Sequence, residues 1–108
     1  MRRTIPERDW KYMRRLKDDL LACLFRQINS QSLEILKQAD VSEREKYHTL
    51  YAHIRDSDKI VADCFDDWRR STLMEKVFLL CYHGLLEEEN IQELSEETQE
   101  RVRAWQGL

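Results

Sequence analysis

The most apolar stretch of the chain runs from Ser71 to Gly84, and its hydrophobic residues recur three and four positions apart. This spacing predicts a buried helix that begins at Ser71 and ends at Gly84, because glycine readily adopts the left-handed conformation that closes a helix. A turn and a second, acidic helix should follow. The apolar residues that predict this second helix are Ile91, Leu94 and Val102. Together the two helices are expected to form an αα-hairpin.

A long amphipathic helix is predicted near the start of the chain. Its apolar stripe consists of Trp10, Met13, Leu16, Leu20, Leu24 and Ile28. The stripe favours a helix over roughly 6–29, with Thr4 as its cap and Pro6 in the first turn. Either the polar segment 29–32 ends this helix, or the helix runs on to Ala39. A helix that long in a small domain must extend past its own core or pack against a second copy, so we expect a homodimer.

The middle of the chain predicts two further helical segments. Ser42 and Glu45 have the spacing of a capping box, which marks the start of a helix. A break is expected at residues 56–58, where Ser57 or Asp58 could cap the next element. The apolar residues of the two segments are Tyr47, Leu50, Tyr51 and Ile54, then Ile60, Val61, Cys64, Phe65 and Trp68.

Composition supports an all-α fold. The chain has 108 residues, which favours one domain over residues 1–108, and its two glycines and one proline argue against a turn-rich β fold. We therefore predict a bundle of about four to six helices. Three widely spaced cysteines do not describe a disulfide framework, and no apolar run has the length of a leader or a bilayer span. These features predict a cytoplasmic protein without membrane contact.

Charge is unevenly distributed along the chain. Residues 1–26 carry eight basic and four acidic side chains, whereas residues 84–108 carry two basic and seven acidic ones. The ends of opposite charge could attract one another within the fold or across a dimer. The pI of 5.6 is far below that of a typical duplex-binding domain, so we do not expect nucleic acid as a partner.

Catalytic and metal-binding patterns are weak. Two side chains on one helix can bind the same metal ion when they are three or four residues apart. The pair Cys81 and His83 is closer than this, and the pair His48 and His53 is farther apart, so we expect neither pair to bind a metal. Carboxylate pairs such as Glu93 and Glu96 fit a magnesium hydrolase, but they arise by chance in a chain this acidic. No phosphate loop or activated nucleophile is evident. We predict no cofactor, no metal and no enzyme, with a metal-dependent hydrolase as the least favoured alternative.

The remaining class of function is the binding of another protein through surface side chains. Aromatic residues and arginines dominate protein interfaces, and Tyr12, Tyr51 and Arg55 point less clearly inward than the tryptophans. These three residues are candidate contacts for a protein partner. An acidic helical face that includes Glu93 and Glu97 suggests an alternative, a stoichiometric inhibitor such as an immunity protein, antitoxin or anti-nuclease factor.

One stretch also resembles a known family. The run 67–71 (Asp-Trp-Arg-Arg-Ser), followed by Leu73, Val77, Gly84, Leu86, Glu88, Ile91 and Leu94, is similar without gaps to the carboxy-terminal half of the fluorescence recovery proteins. The resemblance covers about the last forty residues. It implies a small all-α dimer that binds the orange carotenoid protein of cyanobacteria and speeds its return from the red to the orange form.

The same resemblance implies partner-binding residues on the central helix. In the family, a tryptophan, a histidine-aspartate pair and an arginine line that patch; here the positions hold Thr49, Ala52, His53 and Lys59. Lys59 keeps the positive charge, and Arg69 belongs to the matching run. The sequence therefore predicts a non-enzymatic regulator that acts by protein-protein binding.

Overall fold

The computed structural model describes residues 5–107, and within them it contains five α-helices and no strand. The helices are α1 (Glu7–Lys37), α2 (Glu43–Phe65), α3 (Leu73–Tyr82), α4 (Glu88–Gln92) and α5 (Glu96–Gln106). The prediction of an all-α fold with a long N-terminal helix is confirmed. The predicted Thr4 cap lies outside the described residues.

An antiparallel hairpin of α1 and α2 dominates the shape of the molecule. The two helices share the most extensive helix-helix contact, and the molecule measures 54 × 25 × 22 Å. A straight helix of 31 residues spans about 46 Å, so α1 runs along most of the long axis. We call the part of the hairpin formed by residues 25–56 the arm, and the remainder of the described chain the head.

The hydrophobic core lies in the head and between the two long helices. In α1 the last buried residue is Ile28, and in α2 the first is Ser57. The fully buried side chains belong to α1, the end of α2, α3 and the C-terminal segment; the largest are Met13, Leu73, Leu80, Leu94, Val77 and Val102. The arm therefore projects beyond the core.

The first helix is continuous through the polar segment where it could have ended. Its last residue is Lys37, so of the two alternatives the longer helix is the one observed. The Ser32 hydroxyl donates to the Ile28 carbonyl at 2.7 Å, and His53 Nε2 lies 3.1 Å from the same oxygen. Ser32 thus bonds to its own helix, and His53 of α2 contacts the same turn of α1.

The second helix begins as predicted, but its expected break is absent. The Ser42 hydroxyl accepts a hydrogen bond from the Glu45 N–H at 3.1 Å, which caps the helix. The prediction of a break at residues 56–58 is wrong because Ser57 is buried on the helix side that also carries His53 and Cys64. Ser57 therefore lies in the seam with α1, and its exposed aspartate neighbours lie in solvent.

The predicted start of α3 is also wrong, whereas its predicted end is correct. The helix begins after Thr72, whose hydroxyl accepts from the Arg69 N–H and contacts the Asp67 carbonyl, so Ser71 is not the cap. At the other end Gly84 has φ +73°, and the Leu85 N–H donates to the Leu80 carbonyl at 2.9 Å. This pattern is a Schellman motif.

The single acidic helix that was predicted after Gly84 is two helices. They separate because the Ser95 N–H donates to Asp9 Oδ1 at 2.8 Å instead of continuing a helical ladder. The Ser95 hydroxyl (2.6 Å) and the Thr98 hydroxyl (2.5 Å) both donate to Asp9 Oδ2. Asp9 is fully buried, so a carboxylate of α1 stabilises the positive N-terminus of α5 and joins the two ends of the chain.

Replacing Asp9 by alanine should destabilise the fold by about 3 kcal/mol, because three hydrogen-bond donors would lose a buried charged acceptor. Urea unfolding followed by circular dichroism would measure this change. Asp18→Ala is the matched control, since Asp18 lies on the same helix and is exposed, and it should change stability by less than about 0.5 kcal/mol. Equal effects of the two substitutions would contradict the anchoring role of Asp9.

Gly84→Ala should cost about 1 kcal/mol through backbone strain, since a Cβ there would meet nothing within 4 Å and φ is +73°. Gly107→Ala provides the comparison because Gly107 has φ −80° and only ordinary contacts around an added Cβ. Thermal melts of both variants should show a lower Tm for the first alone. A neutral Gly84→Ala would mean that the left-handed turn is not required.

Candidate protein-binding surfaces

The arm carries a cluster of exposed apolar side chains. We define the arm face as five residues of α1 and α2 whose side chains are 39–64% exposed: Phe25, Leu36, Tyr47, Tyr51 and Ile54. Leu33 lies at its margin and is also half exposed. Large apolar side chains gathered in this way on a monomer are typical of an interaction surface.

Helical geometry places the arm face on one side of the hairpin. At about 100° per residue, Phe25 and Leu36 project from α1 at about a right angle to its α2-facing stripe. Tyr47 and Ile54 project from α2 at a similar angle to its α1-facing stripe. Because the helices are antiparallel, the two sets turn toward the same side. The result is one continuous apolar strip rather than two separate ones.

Three of the predicted contact residues lie on α2 at or near this strip. Tyr51 is 60% exposed, and the Arg55 guanidinium lies 6.0 Å from the centre of its ring. Lys59 is exposed one turn further along, with Nζ 4.0 Å from Asp56. The structure thus brings Tyr51 and Arg55 together and places Lys59 toward the head.

Two other predicted residues are engaged within the chain. His53 is half-buried inside the hairpin through its contact with the Ile28 carbonyl. The hydroxyl of Tyr12 lies 3.4 Å from Asn90 Nδ2, which donates to it, and Arg15 lies over its ring at 5.9 Å. Tyr12 therefore belongs to the contact between α1 and α4 in the head and is far from Tyr51 along α1.

Arg69 lies in a loop that the chain itself stabilises. Asp67 has φ +56°, a conformation uncommon outside glycine, and both of its carboxylate oxygens accept from Arg69 at 2.6 and 2.9 Å. This hydrogen bonding holds the pKa of the Asp67 carboxyl below its ordinary value. The neighbouring Arg70 binds both oxygens of Glu7 and stacks 5.0 Å from the Trp10 ring. The Asp67–Arg69 pair is internal to the loop, and the Arg70–Glu7 pair fastens the loop to α1.

The acidic face lies on the head, away from the arm. Glu93 and Glu97 are exposed at the junction of α4 and α5, and the Glu93 carbonyl accepts from Arg8. Close by, Arg103 binds both carboxylate oxygens of Glu88 and lowers the pKa of that carboxyl. Glu93 and Glu97 are thus not part of the same surface as Tyr51.

The head also contains an exposed aromatic cluster. Phe78 and Trp105 stack with ring centres 5.1 Å apart, and Tyr82, which is 73% exposed, meets Trp105 edge-on. A shallow cavity of about 420 Å³ lies beside Cys81, Tyr82, Trp105 and Gln106. Phe78 and Trp105 are half-buried, so Tyr82 is the exposed member of this cluster.

The Cys64 and Cys81 thiols are not activated. Burial raises the pKa of the Cys64 and Cys81 thiols to about 11, so neither has the thiolate character of a nucleophile near neutral pH. Within residues 5–107 no three metal-ligating side chains gather in one place. Over the same residues, none of the helices combines the length and the apolar character that crossing a membrane requires.

Sequence reasoning missed Phe25, Leu36, Tyr47 and Ile54 as surface residues. The sequence analysis places Tyr47 and Ile54 on an apolar stripe, since apolar residues at helical spacing normally face inward, and it does not single out Phe25 or Leu36. The available signal was the position of Tyr47 and Ile54, which are separated by one heptad and lie beside the stripe that contains His53 and Ser57.

No family model matches this chain, and neither a curated protein nor a solved structure was found to be similar to it.

Proposed function

We propose that this protein acts without catalysis, by protein-protein binding, and that the arm face pairs two copies of the chain into a homodimer. The observation that carries this proposal is the apolar strip on an arm that has no core of its own on that side. Cys23, Cys64 and Cys81 form no disulfide with one another, and this supports a cytoplasmic location.

The area of the arm face is sufficient for a dimer. With about 200 Å² for a fully exposed large side chain, the exposed parts of its five residues amount to about 500 Å² per chain. A two-fold pair would therefore bury about 1,000 Å² of apolar surface before polar neighbours are counted, which is the size at which specific interfaces begin.

The wild-type protein should be a dimer at low micromolar concentration by light scattering, and Tyr51→Asp should weaken the dimer about 100-fold by burying a charge in the interface. Tyr82→Asp is the matched control, because Tyr82 is at least as exposed as Tyr51 (73% against 60%) but lies on the head. A wild-type monomer at all concentrations would overturn the dimer. A dimer that is weakened by Tyr82→Asp instead would place the interface on the head.

The specific partner that we propose is a carotenoid protein, so that this chain is a fluorescence-recovery-like regulator. Support comes from the similarity of residues 67–94 to that family and from the exposure of Lys59 and Arg69 in the fold. Both residues could donate to acidic groups of the partner, although each also contacts an aspartate of this chain.

Adding the protein to photoconverted orange carotenoid protein in the dark should speed the red-to-orange recovery, measured by absorbance. Lys59→Glu combined with Arg69→Glu should reduce the acceleration at least about 10-fold through lost charge pairing, while light scattering shows the dimer intact. The double substitution Lys11→Glu with Arg14→Glu serves as the control for net charge. Recovery at the unassisted rate would reject this partner but not the dimer.

The acidic face favours a second candidate, an inhibitor that occupies a basic site on its target. Exposed carboxylates of Glu89, Glu93 and Glu97 lie on the outside of the head. Binding through such a face would weaken steeply with ionic strength. Pairing through the apolar arm face would not weaken steeply with ionic strength. A salt titration therefore separates the two modes of binding.

A further inference from the structure

The loop between α2 and α3 is stiffened by contacts among its own residues. We call residues 66–72 the strap. Both carboxylate oxygens of Asp67 accept hydrogen bonds from Arg69. The Thr72 hydroxyl accepts from the Arg69 N–H at 3.1 Å and donates to the Asp67 carbonyl at 2.5 Å. Because these bonds join the first part of the strap to its last residue, the strap can move as one unit.

Polar contacts at two places hold the strap against α1. Arg70 donates to the two carboxylate oxygens of Glu7 at 2.9 and 2.8 Å, and its guanidinium lies 5.0 Å from the centre of the Trp10 ring. Two turns further along α1, Lys17 Nζ lies 5.3 Å from the centre of the Trp68 ring. The side chains of Arg70 and Glu7 are each more than half exposed, and an ion pair in such a setting contributes little to stability. This attachment of the strap is therefore weak.

The closed strap leaves two buried hydrogen-bond donors without acceptors. The indole nitrogens of Trp10 and Trp68 are inaccessible to solvent, and neither meets an acceptor in the part of the chain that the structure describes. Arg70 of the strap lies over the first ring, and the second ring belongs to the strap itself. A buried donor without a partner costs free energy that it recovers on reaching water. The closed position of the strap therefore has a cost that opening would relieve.

We propose that the strap lifts from α1 as a unit while the rest of the head stays folded, and that the Arg70–Glu7 pair holds it closed. Its ends remain anchored, because the last residue of α2 and the first residue of α3 are buried in the core. In the open form the indole N–H groups of Trp10 and Trp68 and the Arg70 guanidinium are free to bind carbonyl or carboxylate oxygens. This inference does not depend on the proposed dimer or on the proposed partner.

Hydrogen exchange of the indole N–H groups tests this opening, because each tryptophan gives its own nitrogen-proton signal by NMR. In the wild-type protein Trp10 and Trp68 should exchange at rates within about 2-fold of each other, since one movement exposes both. They should exchange at least about 10-fold faster than the backbone N–H groups of Val77 and Leu80, which lie in the core and exchange only when the head unfolds.

Glu7→Gln should speed the exchange of both indoles about 5-fold, because the strap loses its ion pair with α1, and it should leave the Val77 rate unchanged. Glu88→Gln is the matched control. Both oxygens of Glu88 also accept from an exposed arginine, Arg103, but that pair joins α4 to α5 and does not involve the strap. The control should leave the exchange of both indoles at the wild-type rate.

Joint exchange of the two indoles and a shared response to Glu7→Gln support the opening of the strap. Indoles that exchange at different rates, or only together with the core, would overturn it. A faster rate at Trp10 alone in Glu7→Gln would indicate fraying at the start of α1, and it would also overturn the proposal. So would indole rates that Glu7→Gln leaves unchanged, or that Glu88→Gln raises equally.

Discussion

One buried carboxylate holds the head together. Asp9 accepts hydrogen bonds from the Ser95 backbone and from the hydroxyls of Ser95 and Thr98, and it does so in a site from which water is excluded. In such surroundings each bond to a charged acceptor is stronger than it would be at the surface, and each orphaned donor is costly. This contact fixes the N-terminus of α5, and buried Val102 and the Phe78–Trp105 stack hold the rest of the helix against the head.

The sequence correctly predicted the helix ends that depend only on neighbouring residues. The Ser42 cap and the left-handed Gly84 each depend on a few neighbouring residues, and both are present in the structure. The break expected at residues 56–58 and the undivided acidic helix were wrong for the opposite reason. Ser57 is buried against α1, and the Ser95 N–H donates a hydrogen bond to Asp9. In both places a contact with a distant segment decides the secondary structure, rather than the residues nearby in sequence.

The candidate binding surface was only partly predictable. Tyr51, Arg55 and Lys59 were identified from residue type and from the family resemblance, and they lie along α2. Tyr12 and His53 carry similar chemistry but are engaged within the chain, which only the packing of α1 against α4 and α2 reveals. The helical period shows that a residue lies on an apolar stripe. Whether that stripe is buried depends on how far the hydrophobic core extends along the helix.

The contact between Asp9 and Ser95 also affects the order in which the chain can fold. The hairpin of α1 and α2 joins segments separated by a short loop, so it can form while later residues are still being synthesised. The head cannot close until Ser95 and Thr98 have left the ribosome, because its first helix is fastened by residues near the end of the chain. Closure of the head therefore depends on a contact between distant segments of the chain, whereas the contacts of the arm lie within residues 25–56.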